Sequence, residues 1–163
     1  MRGVRSAAAV RSAAVYLAWF GAFLTQFAGV PAAHAQSEED AVRATIEAVY
    51  AATERSDYTA LDSLYAGDEL TIIEGAGIDR GWASYRDHHL KPELEHFTNF
   101  VYRPDEIEVH VVGDWAWAIF RYDLKIDLED RKIENVGRGT AVLEQRGGQW
   151  VVRHMQTASR ARR

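Results

Sequence analysis

The sequence predicts an α+β domain in which a strongly curled antiparallel sheet wraps around N-terminal helices. Two observations indicate this class. Helical patterns come first after residue 36, and alternating strand patterns fill the remainder of the chain. Turn signals separate the later strands, so consecutive strands are expected to pair as hairpins. A sheet that bends in this way forms a half-barrel, and we expect it to enclose a pocket.

Residues 1–35 have the three parts of a cleavable secretory signal. Three arginines flank or precede an apolar run over residues 13–30, and Ala33 and Ala35 form a small-x-small end. A membrane anchor is the alternative, but polar residues and two glycines interrupt the run. We therefore expect cleavage after Ala35, a periplasmic or secreted location, and no stable membrane anchor after cleavage.

The exported domain is predicted at residues 36–158, followed by a basic tail at residues 159–163. The 163-residue chain contains no cysteine, which excludes disulfides, thiolate chemistry and a lipid-anchored lipoprotein. The net charge is −5, and loss of the arginine-containing signal makes the remaining domain more acidic. Because an acidic surface repels phosphate backbones, nucleic acid is not an expected partner.

Three helical segments are predicted. The first runs from Ser37, its expected N-cap, to about Ser56, because apolar residues recur along it at spacings of three and four. The second is short and follows Asp57, which is placed to cap it. The third begins near Trp82, after a glycine-rich loop.

Strand patterns account for the remaining elements. A short strand at residues 70–73 lies between the second and third helices. Gly137 and Gly139 lie inside a later strand, where they indicate a bend or a bulge. Four strands make up the C-terminal part, at residues 106–112, 115–126, 133–145 and 150–158.

Several separated segments are similar to one family. They are ERSDYTALDSLYAGD, GWASYRDHHLKPEL, GDWAWAIFRYDL and GRGTAVLEQRGGQWVVRHMQTASR. Together they resemble the SnoaL-like branch of the nuclear transport factor two-like superfamily, which also contains ketosteroid isomerases. The resemblance implies a cone-shaped α+β barrel with an internal, mostly apolar pocket, often as a homodimer. It does not imply one reaction, because members include isomerases, cyclases, dehydratases and non-catalytic binders.

Two residues are candidate acid/base groups. Glu74 ends the first strand, near the point where ketosteroid isomerase-like members carry an acidic residue that moves a proton beside a carbonyl. A carboxylate at a pocket mouth can act as a base if burial raises its pKa. The alternative is a solvated glutamate at a strand end. His154 on the last strand is the second candidate. The isomerase-type tyrosine of the first helix aligns with Val49, and Tyr50 is adjacent.

The last strand also supplies candidate pocket residues. Period-two alternation puts His154 and Gln156 on one face, and the resemblance implies that this face points into the pocket. The alternative is a hydrogen-bonded structural histidine. Gln156 cannot titrate, which favours binding over proton transfer. The other ligand-binding candidates are Tyr50, Trp82, Tyr85, His89, Trp117 and Arg138.

A metal site is an alternative use of the third helical segment. On a continuous helix His89, Glu93 and His96 share one face and could bind a Zn or Cu ion. Pro92 argues against continuity, because it is expected to push Lys91 out of the α region and start a new helix. Without a metal, these residues would form a polar rim in which histidines hydrogen-bond to carboxylates.

Three functions are compatible with these residues. We rank first an exported domain that binds a small apolar or aromatic ligand without catalysis, because Glu74 is out of register by one residue and the phenol expected on the first helix is displaced. The second is a cofactor-independent isomerase, cyclase or dehydratase that uses Glu74 or His154. The third is a metal-binding protein. The sequence has no phosphate-binding loop and no dinucleotide fingerprint, so no organic cofactor is expected.

Overall fold

The computed structural model describes residues 32–163, with side chains from residue 35 onward. The predicted signal therefore lies almost entirely outside the described residues, and its cleavage after Ala35 stays a prediction. None of the helices in the described part of the chain is long and apolar enough to cross a membrane.

Two helices open the described chain. Helix α1 covers Ala32–Glu54 and starts five residues before Ser37, the predicted cap. Helix α2 covers Tyr58–Leu64, and the carboxylate of Asp57 caps it by accepting a hydrogen bond of 3.0 Å from the Ala60 backbone N–H. The prediction that Asp57 begins this helix is confirmed. A 3₁₀ turn at Gly67–Glu69 leads into the sheet.

The third helical segment does not break at Pro92. It runs through α3 at Trp82–Tyr85, a π-helical turn at Arg86–Leu90 and α4 at Lys91–Leu94. Lys91 has φ −60° and ψ −51°, so the prediction that Pro92 moves it out of the α region is wrong. The N–H of Lys91 bonds to the carbonyl of Arg86, five residues back. This wider turn gives the proline ring room against the preceding backbone.

Within the described residues the sheet has six strands in the order β2-β1-β6-β5-β4-β3. The four C-terminal strands form the predicted antiparallel arrangement, while β1 pairs antiparallel with β2 and parallel with β6, which makes the complete sheet mixed. Strand β2 lies inside the predicted glycine-rich loop and was not predicted. The bounds are β1 Thr71–Glu74, β2 Gly77–Arg80, β3 Thr98–Val112, β4 Trp115–Asp127, β5 Lys132–Arg146 and β6 Gln149–Ala161.

Two strands are longer than predicted. Strand β3 starts at Thr98, eight residues early, and it contains Pro104. An edge strand tolerates proline because its outer N–H groups pair with no strand. Strand β6 continues to Ala161, and the N–H of Arg162 donates to the carbonyl of Glu134 at 2.9 Å. Most of the predicted tail at residues 159–163 therefore belongs to the sheet.

Gly137 and Gly139 do not form a bulge, because the β5 register runs unbroken through both. They instead make room for the rings of their β4 partners. A Cβ added to Gly137 would lie 2.0 Å from Cζ of Tyr122, and one added to Gly139 would lie 2.3 Å from Cε2 of Phe120. Phe120 and Tyr122 are thus able to lie flat against β5 inside the half-barrel.

A bulge that affects the cavity lies instead between β5 and β6, in addition to two register shifts between β3 and β4. Leu143 pairs with Val152, but the next residue, Val142, pairs with His154, so Arg153 is an extra residue in β6. An inserted residue reverses which later side chains face the interior. Val152 and Met155 are both buried in the core, whereas plain alternation would put them on opposite faces.

Candidate active site

A cavity of about 330 Å³ lies between α1, the segment α3–α4 and the inner face of the sheet. Its lining is mostly apolar and aromatic, as is usual for small-molecule sites. Among the described residues, Glu74 and Glu93 are the charged side chains of the lining. Both are near one another, so the cavity has one polar, acidic end.

Glu74 is the last residue of β1, and its side chain is 29% exposed. The hydroxyl of Tyr85 donates to its Oε1 at 3.3 Å. Its other oxygen, Oε2, lies 3.3 Å from Nε2 of His89. The two carboxylate oxygens therefore have different neighbours, a phenol on α3 and an imidazole on the π turn.

His89 is held by carboxylates on both ring nitrogens. Nδ1 lies 2.7 Å from Oδ2 of Asp79 on β2, and Nε2 lies 3.3 Å from Oε1 of Glu93 on α4 as well as facing Glu74. The short contact to Asp79 orients the ring and presents Nε2 to the cavity side. This is the arrangement in which a carboxylate sets the tautomer and direction of a functional histidine.

The surroundings shift both pKa values upward. Burial raises the pKa of Glu74; the charge of His89 and the Tyr85 hydrogen bond oppose this rise, while Glu93 and Asp79 add to it. Partial burial alone would lower the pKa of His89, but the Asp79 hydrogen bond and the charges of Glu74, Glu93 and Asp79 together raise it. The two groups form a coupled acid/base pair.

Phenol hydroxyls surround this acidic end. Tyr50 is fully buried on α1, its ring centroid lies 4.2 Å from that of Tyr102, and its hydroxyl proton has no acceptor within the described residues. Burial raises the pKa of the Tyr50 and Tyr102 phenols and the nearby Glu74 charge adds to both shifts, while the Tyr102 hydroxyl beside Tyr50 partly opposes the rise for Tyr50. These groups therefore stay protonated and can act as hydrogen-bond donors.

The SnoaL-like domain model matches residues 42–159, which is most of the chain. The chain belongs to the SnoaL-like domain family. This confirms the resemblance noted in the sequence. No curated protein matches the chain.

Solved structures with the same fold are abundant. A nuclear transport factor 2-like superfamily protein from Salmonella enterica has a TM-score of 0.71 at 19% identity, covering 78% of this chain and 94% of its own. A candidate dehydratase of that family from Streptomyces avermitilis has a TM-score of 0.69 at 14% identity, covering 78% and 99%. A ketosteroid isomerase-like protein from Erwinia carotovora has a TM-score of 0.65 at 17% identity, covering 77% and 98%. At these identities the likeness supports the α+β half-barrel fold alone.

The cavity of this SnoaL-like domain contains some of the predicted residues. Tyr50, Tyr85, Glu74 and Glu93 line it, and His89 reaches it through its contacts with Glu74 and Glu93. Trp82 does not line it. That side chain is buried behind the wall, where its indole N–H donates to Asp62 at 2.6 Å.

Four other predicted pocket residues lie on the outer face of the sheet. The Arg153 bulge turns His154 and Gln156 outward, and Met155 and Thr157 line the cavity in their place. Trp117 is 43% exposed, because the inner face of β4 is formed by its neighbours in the alternation, such as Ala116 and Phe120. Arg138 points away for the same reason, since Gly137 and Gly139 face inward.

The predicted metal ligands are only partly brought together. His96 is exposed and joins no such cluster in the described part of the chain. Glu74 takes its place: with His89 and Glu93 it offers ligand atoms that all lie within 4.8 Å of one another. The π turn changes the helical spacing on which the original set depended.

Asp79 is the functional residue that sequence reasoning missed. It lies on β2, in the stretch interpreted as a loop. Glu74 pairs with Gly77, so Gly75 and Ala76 form a two-residue hairpin loop, and Gly75 has φ +57°. A Gly-x pair between short strands is a hairpin signal, and its use would have placed Asp79 beside the sheet.

Proposed function

We propose that this domain is a cofactor-independent enzyme of the isomerase or lyase type that transfers a proton at a carbon atom of a small, largely apolar substrate. One observation carries the proposal: the half-buried carboxylate of Glu74 lines an apolar cavity and lies 3.3 Å from Nε2 of His89. This observation favours catalysis over the non-catalytic binder that ranks first from sequence.

Glu74 is the proposed base. Its raised pKa brings it closer to neutrality, which suits a group that must both accept and return a proton. In the proposed step, Glu74 removes a proton from the carbon beside a carbonyl; the electron pair of that C–H bond forms a C=C bond, and the carbonyl π pair moves to oxygen to give an enolate. In an isomerisation the substrate has a second, adjacent C=C bond, the carbonyl re-forms, and Glu74 returns its proton to the far carbon of the dienolate. In a lyase reaction the carbonyl re-forms, a C=C bond forms to the β carbon, and the group on that carbon leaves with its bonding electrons and takes the proton from Glu74.

His89 and Tyr50 are the proposed supporting groups. Protonated His89, held by Asp79, balances the Glu74 charge in the resting site and hydrogen-bonds to it. The buried hydroxyl proton of Tyr50 has no acceptor in the described part of the chain, so it can be donated to the developing enolate oxygen. Tyr85 is a positioning residue, because its hydroxyl contacts Glu74.

The test is deuterium exchange at an enolisable apolar ketone. 2-Tetralone is incubated with the protein in D₂O, and exchange beside the carbonyl is followed by NMR. The Glu74→Gln variant is expected to lose roughly 10²–10⁴-fold of the catalysed rate. Glu95→Gln is the matched control, because Glu95 is an exposed glutamate at the end of α4 that does not line the cavity. Wild-type exchange no faster than that of Glu74→Gln contradicts the proposal.

Metal binding is the second candidate function, favoured by the convergence of Glu74, His89 and Glu93 and by Asp79 on the far nitrogen of His89. Zn²⁺ and Cu²⁺ are the probes, in equilibrium dialysis followed by metal analysis. Stoichiometric metal that is lost in His89→Ala but kept in His96→Ala would favour this candidate. Uptake that does not depend on His89 would exclude it.

The proposed partner, besides the small-molecule substrate, is a second copy of the chain. The outer face of the sheet exposes large apolar side chains, with Val112 72%, Trp115 46% and Trp117 43% exposed. Such a patch is typical of a surface that another protein covers. We propose homodimerisation through this face, and export of the domain stays part of the same proposal.

A further inference from the structure

We infer that the cavity selects an organic cation, an amine or quaternary ammonium with an apolar body and a hydrogen-bond acceptor in addition to the charged group. This inference rests on the proposed function, because it names the substrate class for the same site. It follows from the net charge at the acidic end, the aromatic walls and one buried hydroxyl whose proton has no acceptor among the described residues.

The net charge at the polar end of the cavity is negative. Glu74 and Glu93 line the cavity, and Asp79 contacts the far nitrogen of His89. Among the described residues, His89 is the basic side chain that contacts all three carboxyl groups. No lysine or arginine is found in the cavity lining, as far as the described residues go. Three carboxyl groups against one imidazole leave an unbalanced negative site in partly buried surroundings. A cationic ligand is attracted to such a site, and a carboxylate or phosphate ligand is repelled.

Aromatic rings supply a second feature that suits a cation. Phe97 and Phe100 line the cavity with centroids 5.5 Å apart, and Phe100 stacks on Tyr102 at 5.7 Å. Ring faces attract ammonium groups, most strongly where water is partly excluded. The same rings bury the apolar body of the ligand.

The hydroxyl of Tyr50 indicates a second polar contact with the ligand. It is fully buried, Tyr50 lines the cavity, and the hydroxyl proton has no acceptor among the described residues. A buried donor without an acceptor costs free energy until something accepts its hydrogen bond. The side chain of Glu93 is 50% exposed, so it is better solvated than Tyr50. We therefore expect the charge of the ligand beside Glu93, where desolvation costs less, and its neutral acceptor beside Tyr50.

The test uses three probes that share one phenylbutyl skeleton: 4-phenylbutylammonium, 4-phenylbutanol and 4-phenylbutyrate. Dissociation constants are measured by calorimetry at pH 7.5 with EDTA present, at low and high salt. The ammonium is expected to bind about tenfold more tightly than the alcohol, with a difference that shrinks in salt, and the carboxylate is expected not to bind. Glu93→Gln should remove most of this preference, and Glu95→Gln should keep it.

In a second set of probes, the phenyl ring carries an additional ether oxygen. The oxygen should improve binding to the wild type but not to Tyr50→Phe. Equal or tighter binding of the alcohol or the carboxylate, or no measurable binding of the ammonium, overturns the inference. Exchange at 2-tetralone is a separate readout, since this ketone is neutral. If 2-tetralone exchange depends on Glu74 but the ammonium probe is not preferred, the proposed function holds and the cation inference fails. If the ammonium probe is preferred but no exchange occurs, the cation inference holds and the proposed chemistry fails.

Discussion

Nε2 of His89 lies 3.3 Å from Oε2 of Glu74, although the two residues belong to different kinds of structure. Glu74 ends a four-residue strand, and His89 lies in a π-helical turn. The hairpin of β1 and β2 brings Asp79 to the other side of the imidazole. A single histidine thus connects the sheet edge to the helical segment that closes the cavity.

Glu74→Gln is expected to stabilise the protein at neutral pH while removing its activity. Folding raises the pKa of Glu74, so the folded state holds this proton more tightly than the unfolded state. The contribution of Glu74 to stability therefore falls as pH rises from the ordinary glutamate pKa through the folded-state value. Glutamine does not titrate, so the Glu74→Gln variant does not lose stability as pH rises in this range. Its Tm should exceed that of the wild type at pH 7–8, with the gap closing towards pH 4.

The charged and titratable groups that face Glu74 in this comparison are His89, Glu93, Asp79 and Tyr85. Glu95→Gln is again the matched control, with no gain expected at either pH. A Tm for Glu74→Gln below the wild-type value at pH 7–8 would show that the ion pair with His89 outweighs the cost of burial, contrary to this prediction.

Asp79→Asn is expected to lower the pKa of His89. The Asp79 carboxylate accepts from Nδ1 at 2.7 Å, and its hydrogen bond and charge help to raise this pKa. The stability that protonated His89 contributes is fully present below its unfolded pKa and is lost as pH rises through its folded value. In the variant that loss should occur at lower pH.

The measurement for Asp79→Asn is an NMR titration of the histidine ring protons. The His89 signals should titrate at lower pH than in the wild type, and those of exposed His96 should not move. The pH profile of 2-tetralone exchange should shift in the same direction. An unchanged His89 titration would mean that Asp79 only positions the ring.

The fold could be predicted in outline because its signals are local. The Asp57 cap and the start of α3 at Trp82 each depend on neighbouring residues, and the structure has both. The errors came from insertions that period counting cannot detect. The extra residue at Arg153 reversed the faces of β6, and the π turn before Lys91 changed the spacing behind the metal set.

The residues of the candidate site could also be predicted only where the signal is local or comes from the family resemblance. Glu74 could be proposed from sequence because the family resemblance puts an acidic residue near it. Tyr85 and His89 could be proposed because helical spacing puts them on one face of the third helical segment. Asp79 could not, because its role depends on pairing between β1 and a strand that was interpreted as a loop. His154 and Gln156 were assigned to the cavity by alternation alone, and one bulge was enough to exclude them.

Gly139→Ala is expected to destabilise the domain by about 1–3 kcal/mol, the usual cost of overpacking. The added Cβ would lie 2.3 Å from Cε2 of Phe120, a ring that is 1% exposed and has little room to move. Urea denaturation measures the loss. Phe120→Leu in the Gly139→Ala background should return part of it, because the smaller side chain no longer covers β5. Full stability of Gly139→Ala would contradict this account of the glycine.

Trp117→Arg tests whether the outer face of the sheet is covered by a second copy of the chain. Trp117 is 43% exposed and its ring stacks on that of His110, with centroids 4.1 Å apart. In a symmetric dimer each patch meets its own copy, so the substitution introduces two like charges into one apolar contact. Light scattering after gel filtration should give a dimer for the wild type and a monomer for Trp117→Arg. Asn135→Arg, on a polar part of β5, is the control and should stay dimeric.

Because Trp117 lies outside the cavity, exchange at 2-tetralone should survive in the monomer. A wild type that is monomeric at high concentration would contradict the homodimer, and loss of exchange in monomeric Trp117→Arg would mean that the cavity depends on the second copy.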